Sequence, residues 1–246
     1  EKFTHKYYFK NLKESETLTN EINYEIELEF IGNKESSFID GDTVKDKEKF
    51  ILEKMNQNIT IILQALQQNE FITTFNEKKQ VRDSFIELTD QKRFSDSLPL
   101  AATLERHNMV ELPNLEYKEH INIRRNYCVT DKADGERNLL FVTDIGECYL
   151  INRQNIIKKI GVRVNNYVNV LIDGEYITKT IDNISIRRFM AFDLYFSNGE
   201  DFRERILIRS ADEINSNSGI EKSRHEELKD FLRNAEFEKD EAKNEF

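Results

Sequence analysis

A long helical stripe followed by a series of short alternating runs predicts an α+β fold, with helices early and a mostly antiparallel sheet after them. In the first part, Val44, Phe50, Ile51, Met55, Ile59, Ile62, Leu63 and Leu66 recur at helical spacing, and Asp42 or Thr43 is placed to cap that helix. A shorter helix is expected over residues 77–88. Leu98-Pro99-Leu100 then breaks the helical run, because proline lacks an amide hydrogen and forces the residue before it into extended backbone. This places a domain boundary near residue 92, dividing the chain into residues 1–92 and 93–246.

The pattern changes to strands from Tyr127 onward, over residues 127–130, 137–143, 147–151, 167–172, 175–178 and 188–196. Turns are expected at Asp134-Gly135, Ile145-Gly146 and Asp173-Gly174. Helices are expected over 201–215 and 221–234, and the acidic tail to Phe246 reads as a solvated, frayed helix. Before the helices, residues 23–31 alternate strictly. Glu25, Glu27 and Glu29 lie on one side, and Tyr24, Ile26, Leu28 and Phe30 on the other, the pattern of a strand with one acidic face.

The chain has 246 residues, 38% of them hydrophobic, enough for one large domain or two small ones. No run of about 18 apolar residues suggests a membrane span, and the N-terminus lacks a secretory pattern. Cys128 and Cys148 have no CxxC partners, which disfavours a disulfide framework or a cysteine zinc site and fits a reducing compartment. A formal charge of −10 argues against a protein that coats nucleic acid through a bulk positive field, but leaves room for a local basic cleft.

The run Lys132-Ala133-Asp134-Gly135-Glu136-Arg137 carries the sharpest chemical signal. A lysine that attacks a nucleotide α-phosphate must spend time as the neutral amine, which burial or nearby cations favour. Asp134-Gly135 supplies a turn to present Lys132, and Arg137 opens the next strand with a fork of donors suited to phosphate or ribose. The bland alternative is a surface hairpin, since Asp-Gly turns are common.

The run resembles the KxDGxR signature of the covalent nucleotidyltransferases, the superfamily of capping guanylyltransferases and ATP-dependent DNA and RNA ligases. Later segments resemble that superfamily's further motifs in order: Asn152-Arg153-Gln154-Asn155, Leu171-Ile172-Asp173-Gly174-Glu175-Tyr176 and Phe189-Met190-Ala191-Phe192-Asp193-Leu194. The resemblance implies that Lys132 forms a phosphoramidate with release of pyrophosphate, and that Mg2+ or Mn2+ offsets phosphate charge. It also implies that Asp134, Gly135, Arg137, Arg153, Glu175 and Asp193 surround the nucleotide.

Ligases of the superfamily often have a glutamate two residues before the lysine, whereas this chain has Thr130. Together with the stretch Leu98–Glu105, this resembles the mRNA-capping enzymes of large cytoplasmic DNA viruses. The partners so implied are GTP, the 5′ end of RNA and other capping or transcription subunits, with no membrane. The implied location is the cytoplasm, in a virus factory or virion. Three carboxylates on one strand face repel one another unless cations sit among them, so Glu25, Glu27 and Glu29 invite metal. Their run resembles the glutamate strand of the triphosphate-tunnel RNA 5′-triphosphatases, which implies that residues 1–92 are the last part of such a domain. An edge strand with its acidic face in water is the ordinary alternative.

The superfamily pattern continues with a glycine-containing acidic motif and a lysine-rich motif, and neither occurs between Ser197 and Phe246. A closed tunnel also needs about eight strands, and only one more is suggested, over residues 6–12. The expectation is an internal piece of a larger enzyme, incomplete at its C-terminus and weak or inactive alone. A polynucleotide ligase using ATP and an inactive nucleotidyltransferase-fold scaffold are the rival readings.

Overall fold

The computed structural model describes residues 25–32, 41, 43–94, 102–109, 122–124, 127–209 and 221–239. The chain forms two compact units, Glu1–Ile59 and Thr60–Phe246.

Helix α1 spans Val44–Gln67, and none of its residues is buried. Helix α2 spans Phe75–Thr89 and opens with a reciprocal cap, in which the Thr74 hydroxyl accepts from the Glu77 amide while Glu77 accepts from the Thr74 amide. Asp90 ends α2 in left-handed backbone. Seven strands follow: β1 (Glu136–Val142), β2 (Glu147–Asn152), β3 (Ile157–Val164), β4 (Val170–Lys179), β5 (Ser185–Ser197), β6 (Glu200–Asp201) and β7 (Phe237–Lys239). Helix α3, Arg224–Asn234, precedes β7. The strands form one sheet in the order β6-β5-β4-β1-β2-β3-β7, and each neighbouring pair runs antiparallel.

Both faces of the sheet are apolar, because successive residues of a strand point to opposite sides. Leu139 and Phe141 of β1 pack with Tyr149, Ile151 and Leu171 against Val81 and Phe85 of α2. Leu140 and Val142 pack with Leu150, Ile172 and Leu194 against Leu228 and Phe231 of α3. Phe85 meets Phe94 and Phe141 edge-on at 5.3 and 5.7 Å, and Phe231 meets Tyr167 at 5.0 Å. Burying each such ring contributes roughly 2–3 kcal/mol. Helix α2 therefore belongs to the sheet's own core.

The α+β class matches the expectation, while several elements differ from it. Residues 127–130 form no strand: Tyr127 and Val129 are exposed, so their apolar side chains have no surface to bury against. Residues 25–32 also form no strand and have no ladder partner among the described residues. The second tunnel strand expected over residues 6–12 lies outside the described residues. Asp173-Gly174 is not a turn, because β4 runs straight through it. A side chain at Gly174 would place its Cβ 2.4 Å from Phe189 Cζ and 2.7 Å from the Met190 carbonyl oxygen, so this glycine admits close packing rather than reversing the chain. Residues 202–209 form turns instead of a helix, since Asp201 joins β6 opposite Phe196; residues 210–215 lie outside the described residues.

Candidate active site

The sheet topology brings the later motif segments to one end. Asn138 near the start of β1 pairs with Asn152 at the end of β2, and Arg137 pairs with Glu175 on β4. On the far side of β4, Asp173 pairs with Asp193 of β5, and Glu175 with Met190. Arg137 thus lies near the start of β1 and Arg153 just past the end of β2, while Glu175 and Asp193 lie within β4 and β5. Lys132 and Asp134 lie in the segment that leads into β1.

Lys132 is exposed, and its amine lies 3.4 Å from the Ala133 carbonyl oxygen. Gly135 bends the chain into β1, and a Cβ there would meet the Tyr176 carbonyl oxygen at 2.6 Å. Asp134, Gly135 and Glu136 border an open hollow of about 690 Å³, together with Tyr176, Thr178 and Lys179 of β4. Arg153 is exposed in the β2–β3 turn, which is built by the Asn152 side-chain oxygen accepting from the Gln154 and Ile156 amides.

Arg137 is already engaged. Its Nε donates to Asp173 Oδ1 at 3.0 Å and its Nη2 to Asp173 Oδ2 at 2.5 Å. Asp173 is fully buried, and the Tyr195 hydroxyl also donates to its Oδ2 at 2.6 Å. Hydrogen bonding to Asp173 holds the Arg137 guanidinium still more firmly charged. Burial, and then the Asp173 charge, push the Tyr195 phenol well above its ordinary range, so it remains a donor. The Phe192 ring centroid lies 5.9 Å from the Arg137 guanidinium.

Asp193 is paired within the fold. Its Oδ1 lies 2.9 Å from Nε of Arg224 in the first turn of α3, and the pair ties β5 to that helix. Burial raises the Asp193 carboxyl above the usual range, and Arg224 only partly counters this. Glu25, Glu27 and Glu29 are exposed, and no group of three or more His, Cys, Asp or Glu could hold a metal ion among the described residues.

Asp173, Tyr195 and Arg224 were not singled out from the sequence as site residues. Asp173 had a readable signal, since it shares the core-facing alternation of β4 with Leu171, and an acid at such a position demands partners. Arg224 had none, because an arginine in a helix first turn is usually solvated.

The chain thus holds an antiparallel sheet with a helix packed on each face, and Arg137, Asp173 and Glu175 lie together on β1 and β4. Residues 72–242 match the family model described as mRNA capping enzyme, catalytic domain, and the chain belongs to that family. A curated relative, the probable mRNA-capping enzyme of Acanthamoeba polyphaga mimivirus, is 38% identical over 107 residues, covering 39% of this chain and 9% of the relative. The chain thus spans a small fraction of that relative's length. Among solved structures, mycobacterial DNA ligase D complexed with ATP and MES is similar at 17% identity over 47% of this chain and 42% of that chain, with a TM-score of 0.29. The ligase domain of M. tuberculosis LigD is similar at 16% identity over the same shares, also with a TM-score of 0.29. No described helix is long and apolar enough to cross a membrane.

Proposed function

We propose that the chain carries the nucleotide-transferring centre of an mRNA guanylyltransferase, with Lys132 as nucleophile and GTP as donor. The support for this reading is the KxDGxR run leading into β1, where Arg137 lies in register with Glu175 of β4, inside the segment that matches the capping family.

In the first step the Lys132 amine, having lost a proton to solvent, attacks the α-phosphorus. A P–N bond forms, the bond to the bridging oxygen breaks, and pyrophosphate leaves. In the second, an oxygen of an RNA 5′-diphosphate attacks the same phosphorus, the P–N bond breaks, and the amine leaves and regains a proton. In this reading Arg153 holds phosphate oxygens, Arg137 lends its charge from the ion pair with Asp173, and Glu175 accepts from a ribose hydroxyl. Mg2+ or Mn2+ would accompany the nucleotide, but the described carboxylates form no cage for it, and Asp193 is committed to Arg224. An RNA 5′-triphosphatase role for the segment holding Glu25, Glu27 and Glu29 rests on their spacing alone.

Incubation with α-labelled GTP or ATP in the presence of magnesium tests the reading. A GTP adduct that Lys132→Ala abolishes is expected. A Lys132-dependent adduct with ATP alone would assign a ligase. No adduct with either nucleotide, in this chain or in a longer polypeptide containing it, would make the domain a binding scaffold.

A further inference from the structure

We propose that Tyr195 is a positioning residue, whose hydroxyl locks the Asp173 carboxylate and through it fixes the orientation of the Arg137 guanidinium at the site; the catalytic part of this rests on the guanylyltransferase reading above. Three contacts define the relay, and Tyr195 also interacts with Arg137 directly. Tyr195 Oη donates to Asp173 Oδ2 at 2.6 Å, while Asp173 accepts from Arg137 through both of its oxygens, at 3.0 and 2.5 Å. A carboxylate has about four lone-pair sites. Three of those on Asp173 are thus filled by side chains from β1 and β5, the strands on either side of its own. Asp173 has no solvent contact, so no water stands ready to replace a lost donor. Arg137, in contrast, keeps 21% of its side chain exposed. The relay therefore runs from a buried phenol to a cation at the rim.

The geometry suits positioning better than general packing. Asp173 needs only Arg137 for charge balance. The extra donor on Oδ2 restricts rotation of the carboxylate, and the fork of Arg137 follows the carboxylate plane. A guanidinium whose plane is fixed meets a phosphate without losing freedom at that moment, which favours the transition state over loose binding. The effect of Tyr195 should thus fall on the rate of adduct formation more than on the KM for nucleotide.

Tyr195→Phe keeps the ring and removes the hydroxyl. Two readouts decide the matter. The first needs no catalysis: exchange of the Arg137 Nε proton, followed by NMR, should accelerate about tenfold while the β4 amides keep their protection. Unchanged Nε exchange overturns the proposal whatever the activity. The second is a double-mutant cycle on the rate of the labelled-GTP adduct. Tyr195→Phe should slow it about tenfold in the parent and less than twofold in an Arg137→Lys background. Equal slowing in both backgrounds overturns the relay. If the parent chain forms no adduct, the guanylyltransferase reading fails, and Nε exchange alone judges the relay.

Discussion

Arg137 and Asp173 face each other diagonally across β1 and β4: Arg137 pairs in register with Glu175 and Asp173 with Leu139, and their side chains close a two-point ion pair on the α2 side of the sheet. The arginine of the KxDGxR run is therefore held by a buried acid. A guanidinium so placed brings charge to the site without a search through rotamers.

Removing the acid should be costly. Asp173→Ala leaves Arg137 half-buried without its counterion, and breaking a buried pair on one side costs about 3 kcal/mol or more. Urea unfolding of the 173 variant should show an unfolding free energy lower by that amount, with Asp173→Asn falling in between. An Asp173→Ala chain as stable as the parent contradicts the role assigned to the pair.

Gly174 offers a test of how β4 meets β5. An alanine Cβ would press on Phe189 Cζ and on the Met190 carbonyl, and backbone oxygens do not yield as ring edges can. Overpacking of this kind costs about 1–3 kcal/mol. Thermal unfolding of Gly174→Ala should show that loss, and Phe189→Leu in the same chain should recover only the part owed to the ring.

The same glycine explains a misreading at the level of sequence. Asp173-Gly174 has turn composition, yet β4 passes through it because the glycine serves side-chain packing from β5. Strand β3 escaped notice for a related reason: Lys158, Lys159 and Arg163 interrupt its apolar pattern, and Gly161 adopts a positive φ of 63° beneath the Phe71 ring. By contrast, β1 and β2 were readable, since Leu139 to Val142 and Cys148 to Ile151 are buried on both faces and form continuous apolar runs. Of the site, the motif residues could be found from spacing. Their tertiary partners could not, because Tyr195 and Arg224 owe their roles to cross-strand register and to the angle at which α3 meets the sheet.

The start of α3 should loosen in acid. Ser223 and Glu226 cap it reciprocally, and Arg209 pairs with Glu226, with Nε 2.7 Å from Oε2. The bond from Arg209 chiefly, aided by Ser223, depresses the Glu226 carboxyl to about 2. Because the folded value lies below the unfolded one, this stabilisation is present above about pH 4.5. It drains away as pH falls toward 2. Amide exchange in the first turn of α3 should accelerate across that window, and Ser223→Ala should cost about 1 kcal/mol at neutral pH. A flat exchange profile from pH 5 to 2 counts against the cap.

A second ionic cluster fastens α2 to the sheet and should respond to pH with the same sign. Lys159 of β3 donates to Glu77 of α2 at 3.1 Å and to Glu147 of β2 at 2.9 Å, while the Tyr149 hydroxyl lies 2.7 and 2.8 Å from the same two carboxylates. Burial pushes the Glu147 carboxyl up, but Lys159 and Tyr149 more than reverse this and hold it below the ordinary range. Lys159→Met keeps most of the apolar stem and deletes the only cation that bonds both acids within this cluster. Two half-buried carboxylates are then left together, which should cost about 2–3 kcal/mol at pH 7. As pH falls through 4 the parent loses the contribution of the depressed Glu147 and the variant does not, so the gap between them should narrow. Adding Glu147→Gln to Lys159→Met should restore part of the loss at pH 7, because it removes the repulsion. Chemical denaturation of the parent and both variants at pH 7 and pH 4 measures all three differences, and a gap that is the same at both pH values would show that Lys159 acts through packing alone.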